Sequence, residues 1–197
     1  LQNPSNPRFS HYVFESLGLL SKYNTEGQID IIAPSLLEIL GNDVQEFVPY
    51  TFQILAFLLE KLDNLKPLPA SYSQLIKPLL LPSVWEYRGN VPGITRLIIA
   101  ILKHDPQSTF AADQLSLSAL LGVFQKLISS KANDLYGFEL LETILLYIPL
   151  NLLQPFLNQI AILLLTRLQS SRTDKFVKKF FILLFSLSCV PVNAELN

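Results

Sequence analysis

Methionine is absent from the 197 residues, cysteine occurs once, at Cys189, and histidine twice, at His11 and His104. A single cysteine excludes an internal disulfide and any cysteine-based metal cluster. It reads as a small buried apolar residue in a reducing compartment. The two histidines sit far apart in the chain, and the sequence places no nucleophile beside either of them. His104, in Lys103-His104-Asp105-Pro106, reads instead as a cation at a helix C-terminus. Charge is scarce as well: 16% of the residues are charged, and fifteen basic side chains nearly cancel sixteen acidic ones. No global field favours nucleic acid. Without a methionine, and with an opening LQNPSNPRF that lacks the layout of a secretory signal, the sequence reads as a piece of a longer protein.

Chemical motifs are missing too. There is no phosphate-binding glycine loop, dinucleotide fingerprint, G-x-S-x-G elbow or metal-ligand spacing. Glu139 and Glu142, three apart, read as a solvated helix face, since an acid/base pair would need burial to separate their pKa values. No catalytic, cofactor-binding or metal residue is expected, and an enzyme is the reading these residues support least.

Long apolar runs exist, but neither suits a bilayer. Thr143 to Thr166 carries no charge, yet Pro149 and Pro155 interrupt it and Asn151, Gln154, Asn158 and Gln159 occupy its middle. Lipid would leave those amides unsatisfied, so two buried helices joined by a turn fit better. Phe180 to Ala194 is short for a span and ends at Pro191.

What is present is helical period. Half of the chain is hydrophobic, and apolar residues recur at helical spacing almost throughout. The pattern predicts a first helix capped by Ser10, a turn over Tyr23 to Gly27, and a second helix over Asp30–Leu40. A third is capped by Asp43, and after a loop over Leu62–Ala70 a fourth covers Ser71–Leu81. A connection over Pro82–Val91 holds Trp85, and a fifth helix starts at Pro92. Four more cover Ala111–Ser129, Asp134–Tyr147, Asn151–Leu168 and Thr173–Cys189. Second members of successive pairs start about forty residues apart, the period of HEAT and armadillo units. Asn42-Asp43-Val44-Gln45-Glu46-Phe47 is echoed by Asn133-Asp134-Leu135-Tyr136-Gly137-Phe138, two such units later.

The expected fold is therefore an all-α HEAT-repeat solenoid of stacked antiparallel helix pairs. Residues 1–197 form one segment of it, about four and a half pairs long. Asp134 is expected to cap its helix after the seam Ser129-Ser130-Lys131-Ala132-Asn133. Cut ends would expose apolar faces and favour self-association.

Long gapless stretches carry a resemblance. HYVFESL, ILGNDVQEFVPYTFQILAFLLE, YSQLIKPLLLPSVWEYRGNVPGITRLI, LLGVFQKLISSKANDLYGFELL and RLQSSRTDKFVKKF resemble the middle of the CAS exportins, in register from about Asn3 to Phe181. These belong to the importin-β (karyopherin) superfamily. The resemblance implies a receptor that binds importin-α together with Ran-GTP, shuttles between nucleus and cytoplasm, and catalyses nothing. It implies no nucleic-acid or membrane partner. From period and composition alone, another HEAT scaffold, such as a phosphatase or chromatin-complex subunit, remains the alternative.

If partners approach the second helices of the pairs, Lys126 and Lys131 close one such helix, and Arg167 and Arg172 close another. Those four are the expected partner contacts. Lys175, Lys178 and Lys179 open a following outer helix opposite much of the Phe176, Phe180, Leu183, Leu187 stripe, and are expected to matter less.

Overall fold

The computed structural model describes residues 7–23, 28–42, 45–62 and 67–189, and among them there is no strand. Asp43, the turn residues 24–27, residues 63–66 of the expected loop and the side chain of Cys189 lie outside what is described. The chain divides into two compact units, Leu1–Leu120 and Leu121–Asn197.

In the first unit, α1 (Pro7–Leu20) starts before the expected cap: proline at the first position fixes a helical φ, and Ser10 is buried inside the helix. Helix α2 (Gln28–Gly41) runs through Pro34. Helix α3 (Val48–Glu60) begins behind Phe47 with a proline in its first turn, later than a cap at Asp43 would place it. The expected helix over Ser71–Leu81 is broken into α4 (Ala70–Ser73) and α5 (Ile76–Leu79). Pro78 is the cause: it has no N–H to give to Gln74, and its ring crowds that carbonyl.

Two 3₁₀ turns, Pro82–Trp85 and Arg88–Asn90, lead into α6 (Val91–His104). Two aromatic donors fasten this irregular stretch. The Tyr72 hydroxyl donates to the Leu55 carbonyl at 2.8 Å, and Trp85 Nε1 donates to the Leu79 carbonyl at 2.8 Å. Burial pushes the Tyr72 phenol well above its ordinary pKa, so it stays a donor.

The core of this unit is the crossing of α3 and α6. A Cβ on Gly93 would fall 2.9 Å from both Phe52 Cβ and the Pro49 carbonyl oxygen, so only glycine lets the two helices approach this closely. Leu55, Leu59, Ile94, Leu97, Ile98 and Ile101 fill the contact and are almost wholly buried.

Helix α7 (Gln114–Ile128) starts three residues later than expected, because Asp113 caps it. Its carboxylate accepts the Ser116 backbone N–H at 2.7 Å and the Ser116 hydroxyl at 3.0 Å. Those bonds hold the Asp113 carboxyl below its usual pKa.

The second unit holds the end of α7 and three helices: α8 (Asp134–Tyr147), α9 (Leu150–Ser170) and α10 (Asp174–Cys189). The uncharged stretch 143–166 is thus divided between α8 and α9 by a turn at Ile148 and Pro149. No helix among the described residues is long and apolar enough to cross a membrane. Phe138, Leu141, Ile144, Leu153, Leu164 and Phe176 are buried between the helices. Phe138 meets Phe176 edge-on at 5.1 Å. The other side of α10 bares Phe181, Leu184 and Phe185, and Leu187, on the same stripe as the buried Phe176, Phe180 and Leu183, is exposed rather than part of the core.

Candidate partner-binding surface

Gly122, Gln125 and Lys126 lie at i, i+3 and i+4 on α7, with Ser129 at i+7 just past its end, and all are exposed. Nothing lies within 4 Å of where a Gly122 Cβ would be. A glycine inside a helix costs about 1 kcal/mol against alanine. Gly93 and Gly137 return that cost through close helix contacts, whereas Gly122 serves no packing within its unit. It leaves a low, polar stretch beside Lys126 on which another backbone can come close.

Beyond α7 the seam 129–133 turns the chain into α8. Asn133 precedes α8 and makes no side-chain cap bond. Asp134 is the first helical residue, and its carboxylate faces inward rather than capping. Its Oδ1 accepts Arg167 Nη2 at 3.0 Å, and its Oδ2 accepts the Thr173 hydroxyl at 2.9 Å. Arg167 Nε donates to the Ile128 carbonyl at 3.0 Å, and Nη1 donates to the Ser171 carbonyl and hydroxyl. The guanidinium also lies 5.2 Å from the Phe176 ring centroid. Thr173 caps α10, accepting the Phe176 N–H at 3.0 Å.

One buried arginine therefore ties the end of α7, the start of α8, the end of α9 and the start of α10. The side chains of Arg167 and Asp134 are 6% and 3% exposed, so water competes little for these bonds.

This changes the part Arg167 plays. It was expected at a partner surface, but its donors are engaged inside the unit and its side chain is buried. Lys126, Lys131 and Arg172 are exposed. Lys131 sits in the seam and Arg172 in the turn between α9 and α10, and the Arg167 network pins both turns at one edge of the unit. Lys175 and Lys178 are exposed on α10 and Lys179 is half-buried.

Elsewhere, His104 is the last residue of α6, as expected, and is buried there, and Glu139 is exposed while Glu142 is half-buried. No group of three or more His, Cys, Asp or Glu residues suited to a metal ion occurs among the described residues.

A family profile described as "CAS/CSE protein, C-terminus" matches residues 1–196. The chain belongs to the CAS/CSE family. It is 47% identical over 182 residues to the importin alpha re-exporter of Saccharomyces cerevisiae, covering 90% of this chain and 18% of that protein. It is 42% identical over 200 residues to Exportin-2 of Homo sapiens, covering 98% of this chain and 20% of that protein. The fold is similar to a solved structure of the exportin Cse1 in its cargo-free, cytoplasmic state. There the TM-score is 0.81 and the identity 46%, over 90% of this chain and 19% of that one. The HEAT-repeat α-solenoid expected from the forty-residue period is the fold of this CAS/CSE chain. The chain spans about a fifth of the length of the curated relatives it matches.

Proposed function

We propose that this CAS/CSE chain is part of a nuclear export receptor that binds importin-α together with Ran-GTP and returns importin-α to the cytoplasm. It acts as a protein-binding scaffold with no catalysis of its own, one run of HEAT-type pairs within a longer solenoid. The observation that carries this reading is identity of 42–47% across at least 90% of the chain to proteins named for importin-α re-export or as exportins. Lys126, Lys131 and Arg172 form the edge offered to an acidic partner surface. Arg167 supports that edge from within by fixing both turns. Exposed rim charges act mainly on encounter rate and salt dependence.

The test is association kinetics of the full-length receptor with importin-α and Ran-GTP at low salt. Lys126→Glu with Lys131→Glu slows assembly without unfolding the receptor, whereas Lys178→Glu with Lys179→Glu changes it less. A larger effect from the α10 pair would move the contact to the other helix row.

A further inference from the structure

Where α5 and the two 3₁₀ turns pass the first turns of α3, the first unit holds a pocket of about 340 Å³. Val48 and Phe52 of α3 and Leu75 and Leu79 of the broken segment line it, and all four are buried. Pro78, Ser83 and Tyr87 also line it and are exposed, so they form its rim. Small-molecule sites run from about 300 to 1,000 Å³, and this one is near the lower end. It suits a single ring system, not a lipid chain or a nucleotide. None of the described residues lining it is charged, so a phosphate or carboxylate would find no counter-charge there.

Two features say what the pocket takes. Asn90 lines it and is only 4% exposed. Its Nδ2 donates to the Val84 carbonyl at 3.5 Å, so the amide nitrogen is turned to that carbonyl. Its Oδ1 is buried and has no hydrogen-bond partner among the described residues. A buried acceptor without a donor is costly, and an occupant that brings an N–H recovers that loss. The second feature is Tyr87, 51% exposed at the rim. Its ring lies across residue 89: a Cβ on Gly89 would fall 2.7 Å from Tyr87 Cε1, so glycine there lets the ring keep its place. An aromatic ring at the mouth favours an aromatic occupant, offset-stacked or edge-on.

We infer that this pocket binds an uncharged planar ring carrying one N–H donor, of the indole class, whose N–H donates to Asn90 Oδ1. The ring lies against Val48, Phe52 and Leu79, with Tyr87 at its outer edge. An indole N–H only donates, so pairing it with a lone acceptor leaves no polar atom of the ring unmatched. A plain phenyl ring would fill the same walls but leave Oδ1 unserved. The inference stands on the first unit alone and needs neither Ran nor importin-α, so it can fail while the export reading holds.

The test titrates the full, isotope-labelled chain with indole and with 1-methylindole, which keeps the ring and loses the donor, and follows the amide signals by nuclear magnetic resonance. Indole is expected to shift the Asn90 side-chain amide saturably, with a Kd of about 1 mM or tighter. 1-Methylindole should bind about fivefold or more weakly. Asn90→Leu replaces the amide with an apolar group of similar size and should bring the two affinities together. Tyr87→Ala, at an exposed position, should weaken indole about threefold or more without lowering the thermal midpoint. N-acetyl-tryptophanamide separates the two sources of such a ring: binding as tight as indole points to a tryptophan of a protein partner, and binding of indole alone to a free small molecule. Absence of a saturable shift at Asn90 overturns the inference. Equal binding of indole and 1-methylindole by the parent chain overturns it as well, because Oδ1 is then served by water, and that comparison needs no variant to fold. A difference that persists in Asn90→Leu, or an unchanged affinity in Tyr87→Ala, would place the ring elsewhere and overturn it too.

Discussion

Replacing Asp134 with alanine removes the carboxylate that pairs with Arg167 inside the second unit. If Asp134 were a surface helix cap, the loss would be about 0.5–2 kcal/mol. The structure requires more. Arg167 would keep its bonds to Ile128 and Ser171 but lose its counter-charge, at a side-chain exposure of 6%. Thr173 would lose the acceptor at 2.9 Å that holds it at the head of α10. Breaking a buried pair from one side costs about 3–5 kcal/mol, because the remaining charge is stranded away from water. By contrast the Arg96–Glu60 pair, 39% and 36% exposed, is worth about 0.2–1 kcal/mol. Urea unfolding followed by circular dichroism should therefore give about 3–5 kcal/mol for Asp134→Ala, and less for Asp134→Asn, which keeps an acceptor oxygen. Combined with Arg167→Met, the two losses should fall short of their sum by more than about 1 kcal/mol. A loss of cap size, strictly additive with Arg167→Met, would refute the buried network as what joins these four helix ends.

Gly93→Ala should destabilise the first unit by about 1–3 kcal/mol despite alanine's better helix propensity. One of the atoms its Cβ would meet at 2.9 Å is the backbone oxygen of Pro49, which cannot swing aside; thermal unfolding reads the change. The Asp113 cap predicts a pH effect with a definite sign. Its folded-state pKa is depressed by the Ser116 N–H and hydroxyl, so its contribution is present above the ordinary carboxylate value of about 3.9 and is lost as pH falls through the lower folded value. Asp113→Asn should flatten that acid limb in a pH series of urea midpoints; an unchanged limb would contradict the cap.

Helical period made the helices of the second unit legible almost to the residue, because each has an apolar face and is bounded by a polar seam or, between α8 and α9, by Pro149. Asp134–Tyr147 is as the pattern predicts, and α9 and α10 differ by one or two residues at their ends. The stretch 71–81 was less legible. Its apolar residues suit a continuous helix, but Pro78 breaks it, and the hydrogen bonds of Tyr72 to Leu55 and of Trp85 to Leu79 fasten the path that results. The Asp113 cap could have been found from Asp-x-x-Ser ahead of the apolar run. Arg167 could not have been found in the same way. Local sequence shows a cation at a helix end, while its burial depends on Asp134, thirty-three positions earlier, turning inward to meet it.

The central claim is tested most directly by whether the full-length receptor holds importin-α only in the presence of Ran-GTP. Size-exclusion chromatography of the three proteins should show one co-eluting complex with Ran-GTP and none with Ran-GDP. Failure of importin-α to co-elute in either nucleotide state, or equal co-elution in both, would contradict the account.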